Sequence, residues 1–173
     1  MKKRFILFLL SYIDQDGIVL GTNTKQYMAR LNIDTKVSEK FNYQLKLSGR
    51  YDDVNEPVVG ASTVIGWIDR AVPTWAPYLE DGRYASTWLG FLNNTHPLAG
   101  VKEGKNNTEW DNLLANISAE YEILNGLKLK GTAAVKSYHM LKKVFRPEVF
   151  LINPKTQSAT AQNVGGRALS AWN

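Results

Sequence analysis

The chain has 173 residues, 44% of them hydrophobic, with 21 Lys+Arg against 16 Asp+Glu and a net charge of +5; that is enough for one ordinary domain and too apolar for wholesale disorder. The absence of cysteine excludes a disulfide scaffold, thiolate-ligated zinc, an iron–sulfur cluster and a thiol nucleophile. The charges are spread without a block, against a nucleic-acid tail, and no run approaches the roughly 18 apolar residues of a transmembrane helix.

Met1-Lys2-Lys3-Arg4 followed by Phe5 to Leu10 opens like a signal peptide. The apolar run falls below the usual length of about 7–15 residues, and no small-residue cleavage site follows. Phe5 to Ile13 is therefore expected to be a strand, apolar on both faces until Ser11, with Asp14-Gln15-Asp16-Gly17 as a turn. Tyr27 to Val37 then alternates strictly, with Tyr27, Ala29, Leu31, Ile33 and Val37 against Met28, Arg30, Asn32, Asp34 and Lys36. Period two is the mark of a strand with one apolar and one polar face. Phe41 to Asp52 repeats it across Ser38-Glu39-Lys40, which predicts a tight hairpin. Leu113 to Ile123 and Leu127 to about His139 form a second hairpin around Leu124-Asn125-Gly126. The expected strands are thus about 5–13, 25–37, 41–52, 113–123 and 127–140.

Between the hairpins lies a long loop, 53–112, with four of the six prolines and four of the five tryptophans. Ser62 is placed to cap a short helix from Thr63 to Ala71, ended by Pro73. The aromatic content of this loop predicts ordered structure. Pro154 to Asn173 is small and polar and is expected to be a loop.

Strands of about ten residues match the roughly 9–11 that cross a bilayer at a tilt. Short turns at 38–40 and 124–126, with long connections at 14–25, 53–112 and the tail, match a transmembrane barrel. The polar face carries Arg30, Lys46, Arg50, Glu120 and Lys130, among others. A lumen can hold these charges and lipid cannot. A soluble sheet packed on one face gives the same alternation. In that alternative the chain is a small β-rich carbohydrate-binding module using the aromatic loop 62–110, and residues of 53–112 must cover the apolar face.

Ser11-Tyr12-Ile13-Asp14-Gln15-Asp16-Gly17-Ile18, Arg30-Leu31-Asn32-Ile33-Asp34-Thr35-Lys36-Val37 and Leu45-Lys46-Leu47-Ser48-Gly49-Arg50-Tyr51-Asp52-Asp53 resemble segments of SusC/RagA-type TonB-dependent outer-membrane receptors. So do Arg70-Ala71-Val72-Pro73, Glu80-Asp81-Gly82-Arg83-Tyr84, Asn116 to Ile123 and Gly126 to Gly131. The resemblance runs in order from about Ser11 to Pro147. It implies an all-β, antiparallel transmembrane β-barrel fragment with a long extracellular loop, in the outer membrane of Bacteroidetes. It also implies import of glycans or peptides, a SusD-like surface lipoprotein as partner, and TonB acting through a plug domain. Four or five strands cannot close a barrel, and no plug or TonB-contacting segment is recognised, so the chain is expected to be a fragment, inactive alone.

No residue is assigned to catalysis, cofactor or metal. The two histidines, His96 and His139, form no ligand motif. Asp52, Glu80 and Asp81 support a hydrolase only as a third alternative. Trp67, Trp75, Tyr78, Tyr84 and Trp88 are candidates for contact with substrate or partner, because flat aromatic faces stack on sugars and anchor interfaces. The competing reading is that they form the loop's own core.

Overall fold

The computed structural model describes residues 3–86 and 95–162. Five strands form one antiparallel meander: β1 (Lys3–Asp16), β2 (Asn23–Lys36), β3 (Phe41–Glu56), β4 (Lys105–Leu124) and β5 (Leu127–Phe145). The turns after β2 and β4 span 37–40 and 125–126, and Gly126 takes a φ of 87°, which a side chain would oppose. The connections after β1, β3 and β5 all lie at the opposite end, which is called the upper end below.

The strands are longer than their alternation announces. β1 runs through Asp14 and Asp16, which pair with Lys25 and Asn23, so the turn is 17–22 and not 14–25. β2 stops at Lys36, leaving Val37 in the turn. β3 continues to Glu56 and β4 begins at Lys105. The long connection is therefore 57–104, and Trp110 is a strand residue. β5 reaches Phe145.

The register explains why these extensions were hidden. Directly paired residues share a face. One face carries, row by row, Leu10–Ala29–Gly49–Leu113, Phe8–Leu31–Leu47–Ala115–Val135 and Ile6–Ile33–Leu45–Ile117–Ala133. Tyr12–Tyr27–Tyr51 bounds this band above, with neighbouring rings 4.9 and 6.1 Å apart. Phe41 and Tyr121 bound it below, 6.4 Å apart. Above the tyrosines the same face turns polar, in the rows Asp14–Lys25–Asp53–Glu109 and Asp16–Asn23–Asn55–Asn107–Lys143. Polar side chains predominate on both faces of β2, β3 and β4 there, with Val54 and Trp110 the apolar exceptions, so alternation fades while the backbone ladder continues. Phe41 and Tyr51 lie ten residues apart on β3. That is about 33 Å of strand, and a tilt of about 40° reduces it to about 25 Å, the height of a transmembrane barrel's apolar band.

The apolar band has no cover among the described residues: Phe8 is 62% exposed, Leu129 63% and Val135 66%. All the buried apolar side chains described lie elsewhere, in a cap at the upper end. The cap holds α1 (Ala61–Asp69), α2 (Pro97–Lys102), β6 (Phe150–Ile152) and β7 (Ala159–Ala161). Its centre is Val58, Ala99, Val149 and Leu151, with Val59, Tyr84 and Val144 packed around them. β6 and β7 form a two-stranded sheet, and β7 lies within Pro154 to Asn173, the segment expected to be a loop. α1 begins two residues before its expected start. Gly60 occupies the capping position and no side chain caps the helix, because the Pro57–Gly60 turn already sets the Gly60 carbonyl to accept from Val64. Ser62 lies inside the helix.

Candidate functional site

Two regions gather the residues singled out from sequence: the aromatic cluster of the cap and the polar face of the sheet.

The cap cluster is built around His96, a residue not chosen beforehand. Its side chain is 1% exposed. Nε2 lies 2.8 Å from the Pro77 carbonyl, and Nδ1 accepts from the Ala99 N–H at 3.1 Å. Those partners fix the neutral tautomer with the proton on Nε2. Nδ1 thereby caps α2, with Pro97 at the first helical position. Burial pushes the imidazole below its ordinary pKa, against the raising influence of the Pro77 carbonyl. Trp75 and Tyr84 stand edge-on to the ring at 5.2 and 5.0 Å, and Tyr78 lies 6.5 Å away. Tyr78 and Tyr84 also pair across the hairpin whose tip is 79–83. Gln162 ties in the last segment by donating from Nε2 to the His96 carbonyl at 3.3 Å.

Trp75, Tyr78 and Tyr84 are thus brought together, each half-buried. Much of their aromatic surface is spent on the cap's own core. The Tyr84 hydroxyl donates to Glu103 at 2.9 Å, and burial with this bond raises its pKa. Lys102 reaches the Tyr78 hydroxyl at 3.0 Å. The Trp75 indole N–H finds no acceptor among the described residues. Trp67 stands apart on α1. A Cβ on Gly100 would lie 2.6 Å from its ring, so Trp67 holds α1 against α2. Trp88 lies outside the described residues.

Arg30, Lys46, Arg50, Glu120 and Lys130 share the face opposite the apolar band. Their rows are Arg30–Ser48–Leu114–Lys136, Asn32–Lys46–Asn116, Met28–Arg50–Asn112–Tyr138 and Asn42–Glu120–Lys130. Arg50 Nε donates to Asp52 at 2.7 Å, and Gln26 donates to the same carboxylate at 2.6 Å. Lys128 lies 3.1 Å from Glu120. Trp110 packs on Tyr138 on this face at 5.4 Å. Strand parity could have placed Trp110 here, had the polar stretch before it not been read as loop.

The carboxylates of the hydrolase alternative do not converge on a site. Asp52 is 5% exposed and held by Arg50 and Gln26. Glu80 and Asp81 sit on the exposed tip of the 79–83 hairpin. The Arg83 side chain and N–H donate to Asp81, at 2.7 and 3.0 Å, and hold its carboxyl below the usual range.

The fold defines a class: an all-β antiparallel sheet of five strands with two short helices, the architecture of a piece of a β-barrel receptor. Comparison with known proteins narrows it. The chain is 28% identical over 149 residues to TonB-dependent receptor P3 of Formosa agariphila, a match covering 82% of this chain and 15% of that receptor. It is also 28% identical over 119 residues to TonB-dependent receptor P26 of the same organism, covering 65% of this chain and 11% of that one. The chain therefore spans a small part of the length of the curated relatives it matches, and the similarity supports the TonB-dependent receptor family at that partial level. No family model matches the chain, and no solved structure matches it.

Proposed function

We propose that the chain is part of the wall and extracellular cap of a SusC-like TonB-dependent transporter, importing glycans or peptides across a bacterial outer membrane. The domain is then a stretch of receptor barrel with Arg30, Lys46, Arg50, Glu120 and Lys130 facing the lumen. A SusD-like lipoprotein meets the cap, TonB engages through a plug region, and no covalent chemistry is performed. The observation carrying this reading is the partition of apolar residues. The cap encloses its own core, whereas among the described residues nothing covers the sheet's apolar band, about as tall as a bilayer's interior, between two aromatic rows. A soluble binding module needs residues 53–112 over that band. The described residues of that stretch, 57–86 and 95–104, instead pack at the end of the sheet.

The reading is tested by inserting an epitope after Gly82 in the cap or after Glu39 in the 37–40 turn, in the bacterial host. The expected result is an outer-membrane protein whose cap epitope is labelled on intact cells and whose turn epitope is labelled only after permeabilisation. Recovery in the soluble fraction, or equal labelling of both epitopes, overturns it.

A further inference from the structure

The polar face of the sheet contains a recess of about 440 Å³ across β2, β3 and β4, lined by Arg30, Asn32, Lys46, Ser48, Leu114 and Asn116. Arg30 pairs with Ser48, and Lys46 pairs with Asn32 and Asn116. The two cations therefore stand on neighbouring strands in adjacent rows, diagonal to one another. Lys136 lies in the Arg30 row beyond Leu114. Like charges this close repel, yet neither Arg30 nor Lys46 has an ion-pair partner among the described residues. The other ionic groups nearby do not neutralise them. Asp52 is held by Arg50 and Glu120 by Lys128. Asp34 is diagonal to Lys46 in the next row, but no ion pair joins them and its Oδ1 has no hydrogen-bond partner among the described residues.

We propose that this recess is a subsite for an anionic group on the transported molecule. This rests on the transporter reading and narrows its substrate to molecules bearing a carboxylate or a sulfate or phosphate ester. Arg30 offers a planar fork that fits two oxygens of such a group. Lys46 adds a point charge from the adjacent strand, and the amides of Asn32 and Asn116 add donors on either side of it. Leu114 supplies an apolar floor for the carbon skeleton that carries the charge. In open water salt screens such a pair. The recess holds both cations against one bound group at a distance inside the screening length, so their attraction operates on the open sheet as well as in a closed lumen.

The test uses the whole chain in detergent micelles and measures binding of three probes. These are an oligogalacturonate, the same oligomer methyl-esterified to remove its charge, and tetra-aspartate. At least one charged probe is expected to bind about tenfold more tightly than the esterified oligomer and to weaken as salt is raised. Preference for the oligogalacturonate assigns the anion to a glycan, and preference for tetra-aspartate assigns it to a peptide. R30Q/K46Q is expected to erase the advantage of charge. K25Q/K105Q removes the same charge from the opposite face and is expected to preserve it. Equal binding of charged and esterified oligomers, salt-independent binding, or wild-type behaviour of R30Q/K46Q overturns the proposal. The salt titration needs only the wild-type chain, so it decides even if the double variant misfolds. Failure of the transporter reading would appear separately, as recovery of the protein outside the outer membrane.

Discussion

His96 shows how one residue can govern a unit. Protonating its imidazole places a second N–H where Nδ1 now accepts from Ala99, so the charged form loses the α2 cap and remains buried among Trp75, Tyr78 and Tyr84. The nearest ionic side chains bonded to those tyrosines are Glu103 on Tyr84 and Lys102 on Tyr78. The folded pKa is lowered relative to the unfolded value of about 6.5, so the unfolded state binds the proton first. The contribution of His96 to cap stability is therefore complete above about pH 6.5. It falls as pH drops below that value and levels off below the folded pKa. Denaturation of the cap followed by tryptophan emission between pH 5 and pH 8 (about the range in which histidine titrates) should show this slope, and His96→Asn should flatten it. Gly100 carries a second residue-level prediction. Gly100→Ala sets a methyl against the Trp67 ring and the Val59 side chain. Overpacking of that kind costs about 1–3 kcal/mol, measurable as faster proteolysis within 57–104.

At the scale of elements, the proposed transporter sets the two faces of each strand in different surroundings, and neighbouring substitutions on β5 should report the difference. Val135 sits in the apolar band and Ala134 on the polar face. Val135→Lys is expected to cost about 2–4 kcal/mol of bilayer insertion, whereas Ala134→Lys is expected to cost little. Urea titration of vesicle-inserted protein measures both. The same two faces explain what could be read from the sequence. The strands were visible where Leu31, Ile33, Leu45 and Leu47 alternate with Arg30, Asn32, Lys46 and Ser48. They vanished at Asp53–Glu56 and Lys105–Asn112, where, Val54 and Trp110 apart, hydrogen-bonded backbone carries polar side chains on both sides. The second helix escaped because histidine is an uncommon cap. β6 and β7 are three residues each, too short for a period to show. Of the aromatic candidates, Trp75, Tyr78 and Tyr84 converge in the cap, whereas Trp67 stands apart on α1. Their centre, His96, gave no signal beyond the Pro97 that follows it.

At the scale of the whole molecule, the cap is assembled from two stretches separated by a complete hairpin. Val58 and Ala99 come before β4, whereas Val149 and Leu151 come after β5. Leu151 is fully buried between them, and the Ile152 backbone bonds to Tyr84 and Ser86. In a membrane these stretches meet on one side only when β4 has gone down and β5 has come back up. The cap core therefore cannot close until the last strand of the meander has arrived. A closed cap is then a record of completed assembly: a chain stalled after β4 would leave Val58, Ala99 and Tyr84 open to proteases and chaperones, and quality control could recognise the unfinished wall by its unsealed lid.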